Sequence, residues 1–446
     1  MKNIISQITM KELEKIIYRS LQKSFSEAMA SILTEMDATI ANARDKKRFE
    51  LKDKRKLSFD SMFGHVDLRR NYYFDRETGK YVFLLDQHLD FDGGKMMSPV
   101  VQDLAIELAV SGVSYRQASD AIEKLLGYPV ISHEGIRQQM LNTEVVPKEK
   151  QKLDSEVIFV EVDGLYTKSQ EKGKKGRELK ISAIHQGWEM NGKRAKLINK
   201  QHFIHKGVLP FWEEFEYFLM DTFEYNPTHH QLVINGDGAK WITSCREYFQ
   251  NNATFVIDRF HVARDVQRIF RDHPRYRSIR KKLAAYDSEG FMVELNSAVG
   301  TIEHERKEEQ LEELISQLSQ YPEALEDYRE KLKEKGIDTT GFRPMGSGEG
   351  TMSVFARRLK NGRSWCNHGI TKFSDVMVAL MDGKAIKTLQ GEIEPTEISK
   401  VQDKPPKHFV ERLSKQAAES TRNNVSYLQQ SINKPIVAAL KGLKGF

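Results

Sequence analysis

The sequence predicts a multidomain α+β protein: an α/β domain interrupted by helices and preceded by a helical and β-rich N-terminal region. Three observations carry this expectation. Short β-branched runs, at Val157–Val160, Leu232–Ile234 and Thr254–Ile257, each lead into an Asp (Asp163, Asp237, Asp258), as strands buried on both faces do. Helical periodicity dominates residues 9–43 and 98–145. No strand signal interrupts 262–340. With 446 residues, 39% hydrophobic and 30% charged, the chain is a charge-rich globular protein of roughly two to four domains. No apolar run approaches the ~20 residues of a membrane span, and MKNIISQITMKELEK turns polar too early for a signal peptide, so a cytoplasmic location is expected. Two cysteines, Cys245 and Cys366, exclude a disulfide scaffold and a cysteine zinc site.

Taken in order, residues 1–56 hold a long helix and a basic segment. Thr9 and Glu12 have capping-box spacing. Leu13, Ile16, Ile17, Leu21, Phe25, Met29, Ile32, Met36 and Ile40 form one apolar stripe, suited to pairing with a helix of its own chain or of a second subunit. Residues 57–97 read as a small β subdomain, in which FGHVDLRRNYYF and KYVFLLDQHL flank a turn at Asp75–Gly79. Residues 98–150 read as three short helices, started by Ser98, Ser114 and Ser132, that fit a helix-turn-helix. Arg137 and Gln138 lie on the early turns of the third, and Arg and Gln are the side chains that read guanine and adenine edges.

From 151 the pattern alternates. A strand at 157–163 is followed by runs at 179–186 and 195–204, a helix over 209–222 entered through Pro210, a strand at 231–236, a helix at 239–249 and a strand at 253–257. Three strands, then helix, strand, helix, strand, is the order of a ribonuclease-H-like fold. In that order the first and fourth strands are adjacent, which brings Asp163 and Asp237 together. The domain therefore spans 151–261, breaks for an all-helical insertion at 262–340, and resumes over 341–390, where Glu349 opens a helix. Residues 391–446 read as a linker and a basic, partly helical tail.

The net charge of +6 is clustered. Arg264, Arg268 and Arg271 open a basic run that extends to Lys282. Arg357 and Arg358 follow Glu349. Such clusters point to a polyanion, nucleic acid first, and these arginines suit DNA backbone contacts, which add affinity without reading sequence.

The segments EVDG at 161–164, NGDGA at 235–239, Asp258-Arg-Phe-His261 and GSGEG at 346–350, with FGHVDLRRNYY upstream, resemble the DDE transposases of bacterial insertion sequences. The likeness is to the ISLre-type group, which is related to the Mutator superfamily. It implies Asp163, Asp237 and Glu349 as catalytic residues holding Mg²⁺ or Mn²⁺, with Asp163 bridging two metals. Asp258 and His261 would ligate metal, position the scissile phosphate, or simply hydrogen-bond locally. It further implies double-stranded DNA as partner (terminal inverted repeats and target), and a homodimer or larger assembly when two ends are synapsed. Two alternatives stand beside it: another ribonuclease-H-like nuclease or resolvase, and a non-catalytic DNA-binding protein derived from a transposase.

Overall fold

The structure, a computed structural model, describes residues 9–388 apart from 172, 174, 175 and 193. The linker and tail expected at 391–446 lie outside the described residues. The described residues divide into two compact units, one reaching to Asn142 and including Thr388, the other Thr143–Lys387.

The first unit opens with α1 (Met10–Ala43), capped by the Thr9–Glu12 box as its sequence requires. Next come β1 (Phe49–Ser61), β2 (Gly64–Asp75) and β3 (Lys80–Val82), an antiparallel sheet in that order. Leu33 of α1 packs on Leu57, Phe59, Val66 and Leu68. The expected boundary at 56/57 falls inside β1, and KYVFLLDQHL is only briefly extended. After Val82 it turns into α2 (Leu84–His88), because Leu84 and Leu85 go into the core and Asp86 pairs with Arg70 in the interior. The three expected short helices are α3 (Pro99–Ser111), α4 (Tyr115–Leu126) and α5 (His133–Leu141). Ser98, Ser114 and Ser132 cap them through Oγ, and Gly127 ends α4 in the left-handed region.

The second unit begins with β4 (Thr143–Val145) and then β5 (Val157–Ser169), whose first six residues are all buried. After β5 come β6 (Arg177–His185), β7 (Trp188–Asn191), β8 (Arg194–Leu197) and β9 (Gln201–Ile204). The run expected as one strand at 195–204 is broken at Asn199, which has positive φ. Its exposed first part pairs with β7, and β9 joins the main sheet through β6.

Then follow α6 (Phe211–Thr222), β10 (Gln231–Gly236), α7 (Lys240–Thr243), α8 (Cys245–Phe249) and β11 (Ala253–Ile257). The main sheet runs β11-β10-β5-β6-β9, so β5 sits at the centre, parallel to β10 and antiparallel to β6. Helices alone fill the next stretch among the described residues: α9 (Arg259–Phe270), α10 (Tyr276–Ala284), α11 (Ser288–Asn296), α12 (Glu305–Ser319) and α13 (Tyr328–Glu334). The apolar faces of α9–α12 share one core with β5, β10, β11 and α6, through Val266, Ile269, Leu311 and Leu314, while α13 packs Tyr328 and Leu332 with Val157, Phe159, Val233 and Val256 in a second one. Last come α14 (Gly348–Leu359), β12 (Ser364–Trp365), α15 (Asn367–Met381) and β13 (Ile386–Thr388). Among the described residues no helix is long and apolar enough to cross a membrane.

Candidate functional site: a carboxylate row on the central sheet

The strand carrying Asp163 does not end there, as its sequence suggests. It runs six residues further, because β6 pairs with it as far as Thr167. What ends near Asp163 is the other neighbour. β10 pairs with β5 only from Val157 to Glu161, so Asp163 lies where one side of β5 has opened.

The register places the other carboxylates. Asn235 lies opposite Glu161, and Gly236 opposite Ile257. Both pairings are parallel, so carrying them forward brings Asp163, Asp237 and Asp258 level on three neighbouring chains, ~4.8 Å apart in sheet geometry. The Asp258 N–H donates to the Gly236 carbonyl at 2.8 Å, which extends the ladder to that level.

Backbone donors hold the first two side chains. The Gly164 N–H reaches Asp163 Oδ1 at 2.6 Å, and the Ala239 N–H reaches Asp237 Oδ1 at 3.0 Å. Gly238, at φ 86°, turns the chain between Asp237 and α7. Gln317 of α12 donates to the Asp237 carbonyl at 2.7 Å, so the helical insertion takes part in shaping the site.

Burial pushes the Asp163 carboxyl above its ordinary value. Asp237 and Asp258 add to the rise, while the Gly164 N–H and His261 oppose it. Asp258 caps α9 and binds His261 Nδ1 at 2.9 Å. Burial alone would raise the Asp258 carboxyl, but the bond and charge of His261 hold it below the usual range. The same bond raises His261 against the effect of burial, with Asp163 contributing. The site is thus three adjacent carboxyl groups with one imidazole bonded to the third.

Glu349 sits in the first turn of α14, exposed. Ser347 and Gly348, just before it, are tied to Glu161. The Ser347 N–H donates to Glu161 Oε1 at 3.0 Å, its hydroxyl to the same oxygen at 2.5 Å, and the Gly348 N–H to Oε2. Strand periodicity puts Glu161 and Asp163 on one face of β5, so the start of α14 is anchored one side-chain position from Asp163.

Among the described residues no three His, Cys, Asp or Glu side chains converge into a ready-made metal shell. The donor set nonetheless fits a hard divalent cation. Mg²⁺ takes one or two protein carboxylates and completes its shell with water and phosphate oxygens, and a cation would offset the repulsion that Asp237 and Asp258 add to the burial of Asp163.

The expected DNA contacts divide. Arg264, Arg271 and Arg357 are exposed, and Arg268 is exposed but pairs with Asp265 at 3.0 Å. Arg358 must be withdrawn from the set: it is 3% exposed, with its guanidinium 4.3 Å from the centre of the Phe373 ring. One helical step of about 100° separates it from Arg357 and turns it into the core. Arg137 and Gln138 both bond Glu134 of their own helix. Sequence reasoning missed Glu161, Lys200 and Gln317. The two-residue spacing of Glu161 from Asp163 carries a signal; the other two become relevant only through tertiary contacts.

Residues 4–394 match the sequence profile described as an uncharacterised protein family, UPF0236. The chain is 27% identical over 388 residues to the UPF0236 protein in the vanSb 3′ region of Streptococcus gallolyticus, covering 83% of each. A UPF0236 protein of Caldanaerobacter subterraneus subsp. tengcongensis is 25% identical over 431 residues, 94% of this chain and 89% of the relative. Another from that organism, whose name joins eleven numbered designations, is also 25% identical over 431 residues.

Proposed function

From the premise that the chain belongs to the UPF0236 family, we propose that it is a DNA transposase with a ribonuclease-H-like catalytic domain using Mg²⁺ or Mn²⁺. The observation that carries this reading is the level row of Asp163 on β5, Asp237 just past β10 and Asp258 just past β11, with the Glu349-bearing turn of α14 anchored beside it. The sheet order, with β5 and β10 parallel at the centre, supports the fold assignment. A relative whose name joins eleven designations in one organism fits a sequence present in many copies, as mobile elements are.

Asp163, Asp237 and Glu349 would hold the divalent cations, with Asp163 between the other two. Bound there, the cations supply Lewis acidity and an activated water, and they balance charge on the attacking and leaving oxygens. His261, whose protonated form Asp258 favours, would offer an N–H toward a scissile phosphate. A water oxygen forms the new bond to phosphorus as the 3′ oxygen leaves and takes a proton. That 3′-hydroxyl then attacks a target phosphodiester, exchanging one P–O bond for another.

Arg264, Arg271 and Arg357 would grip the DNA backbone, and α3–α5 would act as the helix-turn-helix that reads the ends. Two such ends require at least a dimer in the active assembly. The expected place of action is the cytoplasm, at the nucleoid.

The test is strand cleavage of a duplex carrying the terminal repeats that flank the coding segment, with Mn²⁺ or Mg²⁺. The parent should nick it. Asp163→Asn, Asp237→Asn and Glu349→Gln should bind it and not cut. Cleavage by Asp163→Asn at the parental rate would refute the site. Binding without cleavage by the parent would favour a transposase-derived DNA-binding protein instead.

A further inference from the structure

Glu161 is a charged side chain at the centre of the sheet, 4% exposed, and the proposed chemistry does not use it. It accepts from three donors at the start of α14, two of them backbone N–H groups. Its other neighbour is His185, with Nε2 3.7 Å from Oε1. Gly348 gives the carboxylate room: a Cβ there would lie 3.1 Å from Oε2. A second tie falls one turn on, where Lys200 Nζ donates to Thr351 Oγ1 at 2.7 Å. Lys200 is itself half-buried and feels both Glu161 and Asp382. Glu349 is thus bracketed, with residues 347 and 348 tied to β5 on one side and residue 351 tied to Lys200 on the other.

A buried carboxylate on a helix N-terminus is stabilised by the exposed N–H groups and by the helix dipole. The same bond works in reverse and fixes where the helix begins. Outside this contact, the lead-in Gly346-Ser-Gly348 offers little restraint of its own, since two of its three residues are glycine.

We propose that Glu161, seconded by Lys200, is a positioning residue that sets α14 in register with β5 and so places Glu349 beside Asp163. The proposal rests on the reading of Asp163 and Glu349 as cation ligands, and its test separates the two. Glu161 touches neither substrate nor cation; it acts through the helix.

The experiment is Mn²⁺ binding to the full chain, followed by electron paramagnetic resonance, on the parent, Asp163→Asn, Glu161→Gln and Ser347→Pro. Ser347 has φ −83° and ψ −12°, which proline accepts, so Ser347→Pro deletes the N–H and the hydroxyl while leaving the buried carboxylate and the sheet in place. Hydrogen exchange of the first turn of α14 is followed in parallel. Asp163→Asn should lose Mn²⁺. Glu161→Gln and Ser347→Pro should weaken it about tenfold, as loss of a supporting partner does at metal sites, with faster exchange confined to α14. If Ser347→Pro folds and binds Mn²⁺ as tightly as the parent while Asp163→Asn does not, the positioning role is wrong and the site reading stands. If Asp163→Asn binds like the parent, the site reading itself fails and takes this proposal with it. Should Glu161→Gln fail to fold, Ser347→Pro decides alone.

Discussion

Burial and the neighbouring carboxylates raise the Asp163 carboxyl, which sets the sign of its effect on stability. The native state favours the protonated form. That contribution is complete below the ordinary carboxyl value of about 4 and is lost as pH rises through the raised one. In metal-free buffer, Asp163→Asn should therefore melt higher than the parent at pH 8, with the gap closing toward pH 4; calorimetry across pH checks this. The Asp258–His261 pair behaves differently. His261 is raised, so its contribution is present below about 6.5 and lost as pH rises through the higher native value. Asp258 is lowered, so its contribution is present above about 4 and lost as pH falls through the lower one. His261→Gln should cost on the order of 1 kcal/mol near pH 5–6 and least in base. Arg357 and Arg358 make a third comparison. Arg358→Ala, which empties a buried site over Phe373, should cost about 1–3 kcal/mol, against at most about 0.5 kcal/mol for exposed Arg357. Urea unfolding distinguishes them.

At the scale of elements, the turn from β10 into α7 depends on Gly238. Its φ of 86° is left-handed, and a Cβ would stand 2.7 Å from Gln317 Nε2. Gly238→Ala should therefore cost more than about 1 kcal/mol and displace Gln317 from the Asp237 carbonyl. The measurement is the exchange rate of the α7 amides, expected to rise in Gly238→Ala and, less, in Gln317→Ala. The start of α14 poses the opposite problem. Its turn is held by bonds to Glu161 rather than by backbone geometry, so its position depends on the sheet. Strand length shows the same dependence: β5 passes Asp163 and continues to Ser169 because β6 and then β12 pair with it. The local sequence, with Asp163-Gly164, looks like a turn.

Across the whole molecule, the exposed arginines of the second unit make DNA affinity salt-dependent on the proposed reading. Each of Arg264→Ala, Arg271→Ala and Arg357→Ala that removes one phosphate contact should lower the slope of log Kd against log salt by about 0.9. Arg358→Ala should leave the slope unchanged, because that side chain is interior. Fluorescence anisotropy over a salt series measures both. The helical insertion belongs to the same scale. Its helices lend Val266, Ile269, Leu311 and Leu314 to the core of the sheet, and α12 reaches Asp237 through Gln317. It is part of the second unit's structure, which its charge-rich sequence does not announce.

Much of this was legible beforehand, and the reasons are local. The Thr9–Glu12 box, the serine caps at 98, 114 and 132, and the buried runs of β10 and β11 depend on residues a few positions apart, so their boundaries fell where spacing put them. The order of elements also implied that β5 and β10 would be neighbours. Other features were not legible, among them the continuation of β5 past Asp163. The run at 195–204 split at Asn199; KYVFLLDQHL turned into α2 around the Arg70–Asp86 pair; and Arg358 faced inward. In each, a contact made far along the chain outweighed local propensity. The sequence by itself thus determined which serines cap helices and where β10 and β11 end, because those are short-range choices of backbone and cap. Only the tertiary structure decided that Asp163, Asp237 and Asp258 stand level and that Glu161 holds the turn carrying Glu349. Register and helix docking are set by pairings between segments far apart in the chain, which no local pattern encodes.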